Sequence, residues 1–166
     1  MQINFQYSPT ILQRAHTLHY RKFFLFQSRL PMLMGILAIW AGLLLFVILG
    51  SDGNRFLSFS LVLSGILAIG IYFWLMKTTG TRVYKRLKDY HEPFLMEINN
   101  ENIEMTIGGS TYEMPWTALK KALIVPDMIL LYPTEKMFYI FPKNNFEDGK
   151  YEEFEILVRE KVNVIF

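Results

Sequence analysis

The sequence predicts an α+β membrane protein: a two-helix transmembrane hairpin, then a small antiparallel sheet with a C-terminal helix. Three observations carry that prediction. Residues 30–51 contain no charge, and neither do residues 56–76. From Phe94 onward the apolar pattern shortens to alternating runs of strand length, punctuated by glycine and proline. A chain of 166 residues has room for one small domain and an anchor, and little more.

Composition narrows the function classes. Apolar residues make up 52% of the chain and charged residues 19%, below the roughly 25% charged content of an average soluble domain. Disordered and fibrous chains are excluded by that mix. With no cysteine, a disulfide scaffold, thiolate catalysis, thiolate zinc sites and palmitoyl anchoring are excluded too. The net charge of +2 hides an asymmetry: residues 1–92 carry ten Lys/Arg against three Asp/Glu, and residues 93–166 carry seven against twelve.

At a rise of about 1.5 Å per residue, each uncharged run covers roughly 32 Å as a helix, enough for a hydrocarbon core of about 30 Å. Only five residues, Ser51, Asp52, Gly53, Asn54 and Arg55, separate them, so the two spans are expected to be antiparallel neighbours. Arg14, Arg21, Lys22 and Arg29 precede the first span, and Lys77, Arg82, Lys85, Arg86 and Lys88 follow the second. The positive-inside rule then predicts a multi-pass protein with both termini in the cytoplasm and the turn outside. Tyr72, Phe73 and Trp74 sit where aromatic rings favour the headgroup level. The spans hold no Asp, Glu, Lys, Arg or His, which argues against a transporter or proton relay. Ala38 and Gly42 in the first span, and Ser60, Ser64 and Ala68 in the second, recur at helical spacing. They form a candidate packing seam, within the hairpin or between two copies.

Ahead of the spans, Gln2, Ile3, Asn4, Phe5, Gln6 and Tyr7 alternate polar and apolar, the pattern of a half-buried strand. So short a strand needs a sheet to join, and the C-terminal third offers it. Ser8 is a candidate helix cap with Pro9 in the first turn. Ile11, Leu12, Ala15, Leu18, His19 and Phe23 then follow with helical spacing. Past the second span, Thr78, Thr79, Gly80 and Thr81 are expected to loosen the helix before a basic juxtamembrane helix that Pro93 ends. Its Lys77, Arg82, Lys85, Arg86 and Lys88 form a candidate lipid-headgroup surface, each cation contributing about 1 kcal/mol near anionic lipid. Nucleic acid is not expected as a partner, for want of an aromatic platform and basic groove.

In the last part, Phe94, Met96 and Ile98 alternate with their neighbours, as do Ile103, Met105 and Ile107. Gly108-Gly109 signals a hairpin. Pro115-Trp116-Thr117 breaks the run, and strands are expected again at 122–125, 128–132 and 137–141. Phe154, Leu157, Val158 and Val162 then mark one face of a final helix. The expected organisation is 1–29 N-terminal strand and helix, 30–76 hairpin, 77–93 basic helix and 94–166 cytoplasmic domain. Successive antiparallel strands closed by one C-terminal helix describe a small curved sheet of the pleckstrin-homology type.

These residues carry a resemblance. The N-terminal strand and helix, the two-span hairpin, Trp116 before a short turn, and Ile140-Phe141-Pro142-Lys143 followed by Phe146 resemble the YcxB-like family of bacterial membrane proteins. The resemblance implies a pleckstrin-homology-like C-terminal domain and a membrane location, with no reaction and no agreed ligand. Trp116, Pro142, Lys143 and Phe146 are then core and motif positions of that domain.

No catalytic pattern is present. His16 and His19 stand three apart and His91 alone, with no HExxH, so no metal site is expected. Gly108-Gly109 lacks a following Lys-Ser/Thr, and no GxSxG occurs. Glu152, Glu153 and Glu155 suit the first turn of a helix. No cofactor is expected. Three function classes remain: an anchored module that binds a protein partner, a lipid-sensing or membrane-organising homo-oligomer, and an immunity or regulatory protein acting on a toxin or membrane enzyme. The acidic balance of residues 93–166 favours the first, because anionic lipid repels an acidic domain. A peptide could add a strand near residues 122–132 or at the N-terminal strand.

Overall fold

The computed structural model describes residues 1–49, 55–86, 91–107 and 109–166, without the side chains of Gln27 and Leu49. Residues 50–54, Gly108 and Lys88 lie outside the described residues. The order is β1 (Gln2–Phe5), α1 (Pro9–Phe23), α2 (Leu25–Leu49), α3 (Arg55–Arg86), β2 (Phe94–Ile98), β3 (Asn102–Ile107) and β4 (Ser110–Pro115). A 3₁₀ turn at Trp116–Ala118 leads to β5 (Lys121–Val125), β6 (Met128–Tyr132) and β7 (Tyr139–Pro142); a second at Lys143–Asn145 leads to α4 (Lys150–Lys161). The chain is thus α+β, with two long apolar helices and antiparallel sheets. It divides into two units, residues 1–15 with 81–166, and residues 16–80.

In the first unit the strands form two antiparallel sheets, β1-β2-β3-β4 and β5-β6-β7, where the sequence suggested one. The division falls at Pro115-Trp116-Thr117, where the 3₁₀ turn redirects the chain. β1 joins the sheet as expected, pairing antiparallel with β2 from Gln2 opposite Glu97 to Phe5 opposite Phe94. Its alternation is explained by what it buries. Phe5 stacks on Phe94 with ring centres 5.7 Å apart, and Tyr7 meets Phe94 edge-on at 4.7 Å. The Tyr7 hydroxyl donates to Ile140 O at 3.2 Å, tying the segment after β1 to β7. Ser8 caps α1: its Oγ accepts from Ile11 N–H at 3.2 Å.

β6 is buried along its whole length, as a central strand covered on both faces must be. α4 lays Tyr151, Phe154, Val158 and Val162 against the sheets, while Leu157 is half-buried at the margin of that face. Gly149 precedes it with φ of 81°, a left-handed conformation that a side chain would strain. At the β3–β4 turn Gly109 also has positive φ, 83°, and Ile107 pairs with Ser110 across it.

In the second unit, residues 28–48 form a segment of mean hydropathy 2.4, and α3 contains a segment of 2.1. Both helices are long and apolar enough to cross a membrane. A core helix of a soluble protein is buried, whereas here Trp40, Val47, Phe56 and Phe59 are each more than two-thirds exposed, an apolar surface of the kind that marks a membrane or protein interface. Thr78, Thr79, Gly80 and Thr81, expected to loosen the second helix, lie inside α3. The reason is local. Thr78 Oγ1 donates to Trp74 O at 2.8 Å and Thr79 Oγ1 to Leu75 O at 2.7 Å, so both hydroxyls are satisfied within the helix. The basic residues 77–86 therefore continue α3.

Candidate functional site

The sites read from the sequence fall into three groups. The motif residues of the sheet domain are packed together around α4. Trp116 is buried and its indole Nε1–H donates to Asn99 O at 2.9 Å. Phe154 lies at its centre, with ring distances of 4.9 Å to Phe141, 5.3 Å to Phe146 and 6.4 Å to Trp116. Pro142 ends β7 and caps the 3₁₀ turn that follows. Lys143 donates through its backbone N–H to Asp127 O at 3.0 Å, and its ammonium pairs with Glu152 at 2.6 Å while lying over the Tyr151 ring. That ammonium holds the Glu152 carboxyl below the usual range. These residues shape a core and its rim.

The second group is the basic stretch. Lys77, Arg82, Lys85 and Arg86 are all exposed on α3. At 100° per residue they spread over about half the circumference of the helix, so they do not form a single narrow stripe.

The third group is the small residues of the hairpin. A Cβ on Gly42 would stand 2.8 Å from Ser58 O and 2.8 Å from Val62 Cγ2. Ala68 lies within 3.5 Å of the corresponding point on Gly35. Gly42 and Ala68 thus face the partner helix of the same hairpin. Ser64 is exposed, and the Ser60 and Ser64 hydroxyls donate within α3 to Leu57 O and Leu61 O. Sequence reasoning missed a close approach of the two helices, Gly35 against Gly65, where a Cβ on Gly65 would sit 2.5 Å from Gly35 O. The signal was available: Gly35 lies two helical turns before Gly42 in the same span.

Another feature unread in the sequence concerns the edge of β5. Residues 164–166 run beside it, with a parallel bridge between Ala122 and Ile165. Ala122 N–H donates to Val164 O at 2.8 Å, Ile124 N–H to Phe166 O at 3.1 Å, and Phe166 N–H to Ala122 O at 3.0 Å. The edge suggested near residues 122–132 is therefore occupied by this chain's own C-terminal residues, and β6 is an interior strand. β4 remains at the end of its sheet with five of six residues exposed, Tyr112 among them. Its outward groups follow from the ladder. Trp116 N–H donates to Glu101 O, so the alternating antiparallel pattern turns Ser110, Tyr112 and Met114 toward β3 and Thr111 and Glu113 outward.

On α1, His16 stacks on Tyr20 with ring centres 6.4 Å apart. Burial disfavours its charged form and holds its pKa below 6.5. Below pH 6.5 the unfolded chain then binds more protons than the folded one, so stability falls as pH falls through that value. Thermal unfolding in mild detergent should show a lower midpoint at pH 5.5 than at pH 7.5, and His16→Gln should shrink that difference.

Among the described residues, no group of three His, Cys, Asp or Glu is placed to hold a metal ion. No curated protein and no solved structure matches the chain. The family model for YcxB-like protein matches residues 98–155, the stretch from the end of β2 into α4 that carries Trp116, residues 140–143 and Phe146, so this segment is YcxB-like, the family its residues resemble.

Proposed function

We propose that this is a non-enzymatic, membrane-anchored interaction module, in which the α2–α3 hairpin spans the inner membrane and a cytoplasmic, pleckstrin-homology-like domain binds a protein partner. Seven strands in sheets of four and three, closed by α4, support the pleckstrin-homology-like reading. The exposed apolar girdle of α2 and α3 supports the anchor. The observation that carries partner binding is the open edge of β4, with outward N–H groups at Thr111 and Glu113 and five of six residues exposed, where β5 is covered by residues 164–166 and β1, at the other end of the same sheet, is half buried. An extended segment adding a strand there would find main-chain partners. The excess of twelve Asp/Glu over seven Lys/Arg in residues 93–166 favours a neutral or basic one.

Glu113→Pro tests this reading. It removes an outward donor at an edge position where proline is tolerated, leaving the ladder to β3 intact. Affinity purification of the full chain from its native membranes in mild detergent should yield a stoichiometric second protein. Glu113→Pro should lose that protein while unfolding at the same temperature as the unaltered chain. Recovery of the unaltered chain alone, or a partner retained equally by Glu113→Pro, would overturn strand addition at β4.

A further inference from the structure

At one end of the helical unit, the C-terminal turns of α1, the first turns of α2 and residues 72–76 of α3 enclose a cavity of about 180 Å³. Arg21 and Arg29 line it, together with Tyr20, Tyr72, Leu25 and Phe73. Two guanidinium groups on one small cavity repel each other, and this unit holds almost nothing to offset them. Residues 1–51 and 55–86 contain no Asp or Glu. Asp52, the single carboxylate of residues 16–80, belongs in sequence to the opposite end of both apolar helices. Among the described residues, the ion pairs all lie elsewhere. The cavity is therefore short of an anion.

The shape of the surroundings says which anion. Arginine forks bind phosphate oxygens in pairs, and phenolic hydroxyls such as those of Tyr20 and Tyr72 donate to the same oxygens. Next to the cavity the surface is apolar and open: Phe26 is 71% exposed, Phe73 59% and Trp74 60%. A ligand matching both has a phosphate head and hydrocarbon tails lying along the helices. With no carboxylate on α1, α2 or α3, the helices that line the site offer nothing to receive the ammonium of choline or ethanolamine. We propose that Arg21 and Arg29 form a binding site for the phosphate of an anionic glycerophospholipid. The site is separate from Lys77, Arg82, Lys85 and Arg86, and it rests on the reading of α2 and α3 as membrane helices.

The test is native mass spectrometry of the full chain released from nanodiscs of phosphatidylcholine mixed with phosphatidylglycerol. The unaltered chain should retain one phosphatidylglycerol and at least tenfold less phosphatidylcholine, a comparison that needs no variant. Arg21→Gln/Arg29→Gln should reduce that retention at least tenfold, and Lys77→Gln/Lys85→Gln, which removes the same charge, less than twofold. Inorganic phosphate added as competitor should leave the lipid in place; its displacement at submillimolar concentration would assign the site to a soluble phosphate and overturn the lipid. Equal retention of the two lipids, or equal losses in the two double variants, would overturn the site. A chain that stays soluble without detergent would refute the membrane reading itself, whereas an inserted chain that retains no lipid refutes this site alone.

Discussion

Phe154→Ala is expected to destabilise the sheet domain by about 3–5 kcal/mol, the range for removing a large aromatic ring from a packed core. Phe154 is fully buried, and its ring is the shared neighbour of Trp116, Phe141 and Phe146. Loss of that ring leaves a cavity bordered by three other aromatic groups, which cannot all close on it without leaving their rotamers. The indole of Trp116 is held by its bond to Asn99 O, so it is poorly placed to follow. Hydrogen exchange of the full chain in detergent reads this domain separately from the helices. Protection of β3, β6 and α4 should fall together, while α2 and the membrane-facing part of α3 keep theirs. Ile156→Ala, on the opposite face of the same helix and 66% exposed, should change protection by no more than about 0.5 kcal/mol. Equal effects of the two substitutions would mean that α4 is not docked through Phe154.

The helical unit should respond most to Gly65→Leu. A Cβ there stands 2.5 Å from Gly35 O and 2.7 Å from Ile39 Cγ1. The first of these is a backbone atom, so relief requires the helices to move apart. Overpacking of this kind costs about 1–3 kcal/mol, and a branched side chain against a carbonyl belongs at the upper end. The carbonyl approach is lost along with the close packing that holds helices together where lipid removes the hydrophobic drive between them. Gly70→Leu is the control, since no atom lies within 4 Å of its Cβ position. Thermal unfolding in mild detergent should show a lowered midpoint for Gly65→Leu and an unchanged one for Gly70→Leu. A hairpin indifferent to both would mean that α2 and α3 are not in contact through Gly35 and Gly65.

The two cases differ in what could be read before the structure was known. Phe154 belongs to an apolar stripe with Val158 and Val162, and helical periodicity places it on the buried face of α4. Gly65 gives no such signal. Its small neighbours Ser64 and Ala68 have the same spacing properties, and only the rotation of α3 about its axis decides which of them meets α2. That rotation puts Ser64 outside and Gly65 inside. Edges behave in the same way. A short apolar run set off by Pro126-Asp127 predicts a strand at residues 122–125, but a strand's pattern does not record what lies beside it. Residues 164–166, some forty positions later in the chain, cover that edge.

Local pattern set the class of each segment: two apolar helices, an N-terminal strand that needs a sheet, short strands with a closing helix, and the residues that resemble the YcxB-like family. Those properties depend on the period and length of apolar runs, which are local. Long-range packing set the division into sheets of four and three strands, the continuity of α3 through Thr78 and Thr79, the edge left open at β4 and the placing of Arg21, Arg29 and Tyr72 around one cavity. Each of these depends on which distant residues share a surface. A charge, a glycine or an outward N–H acquires its role from the group placed opposite, and that group comes from another part of the chain.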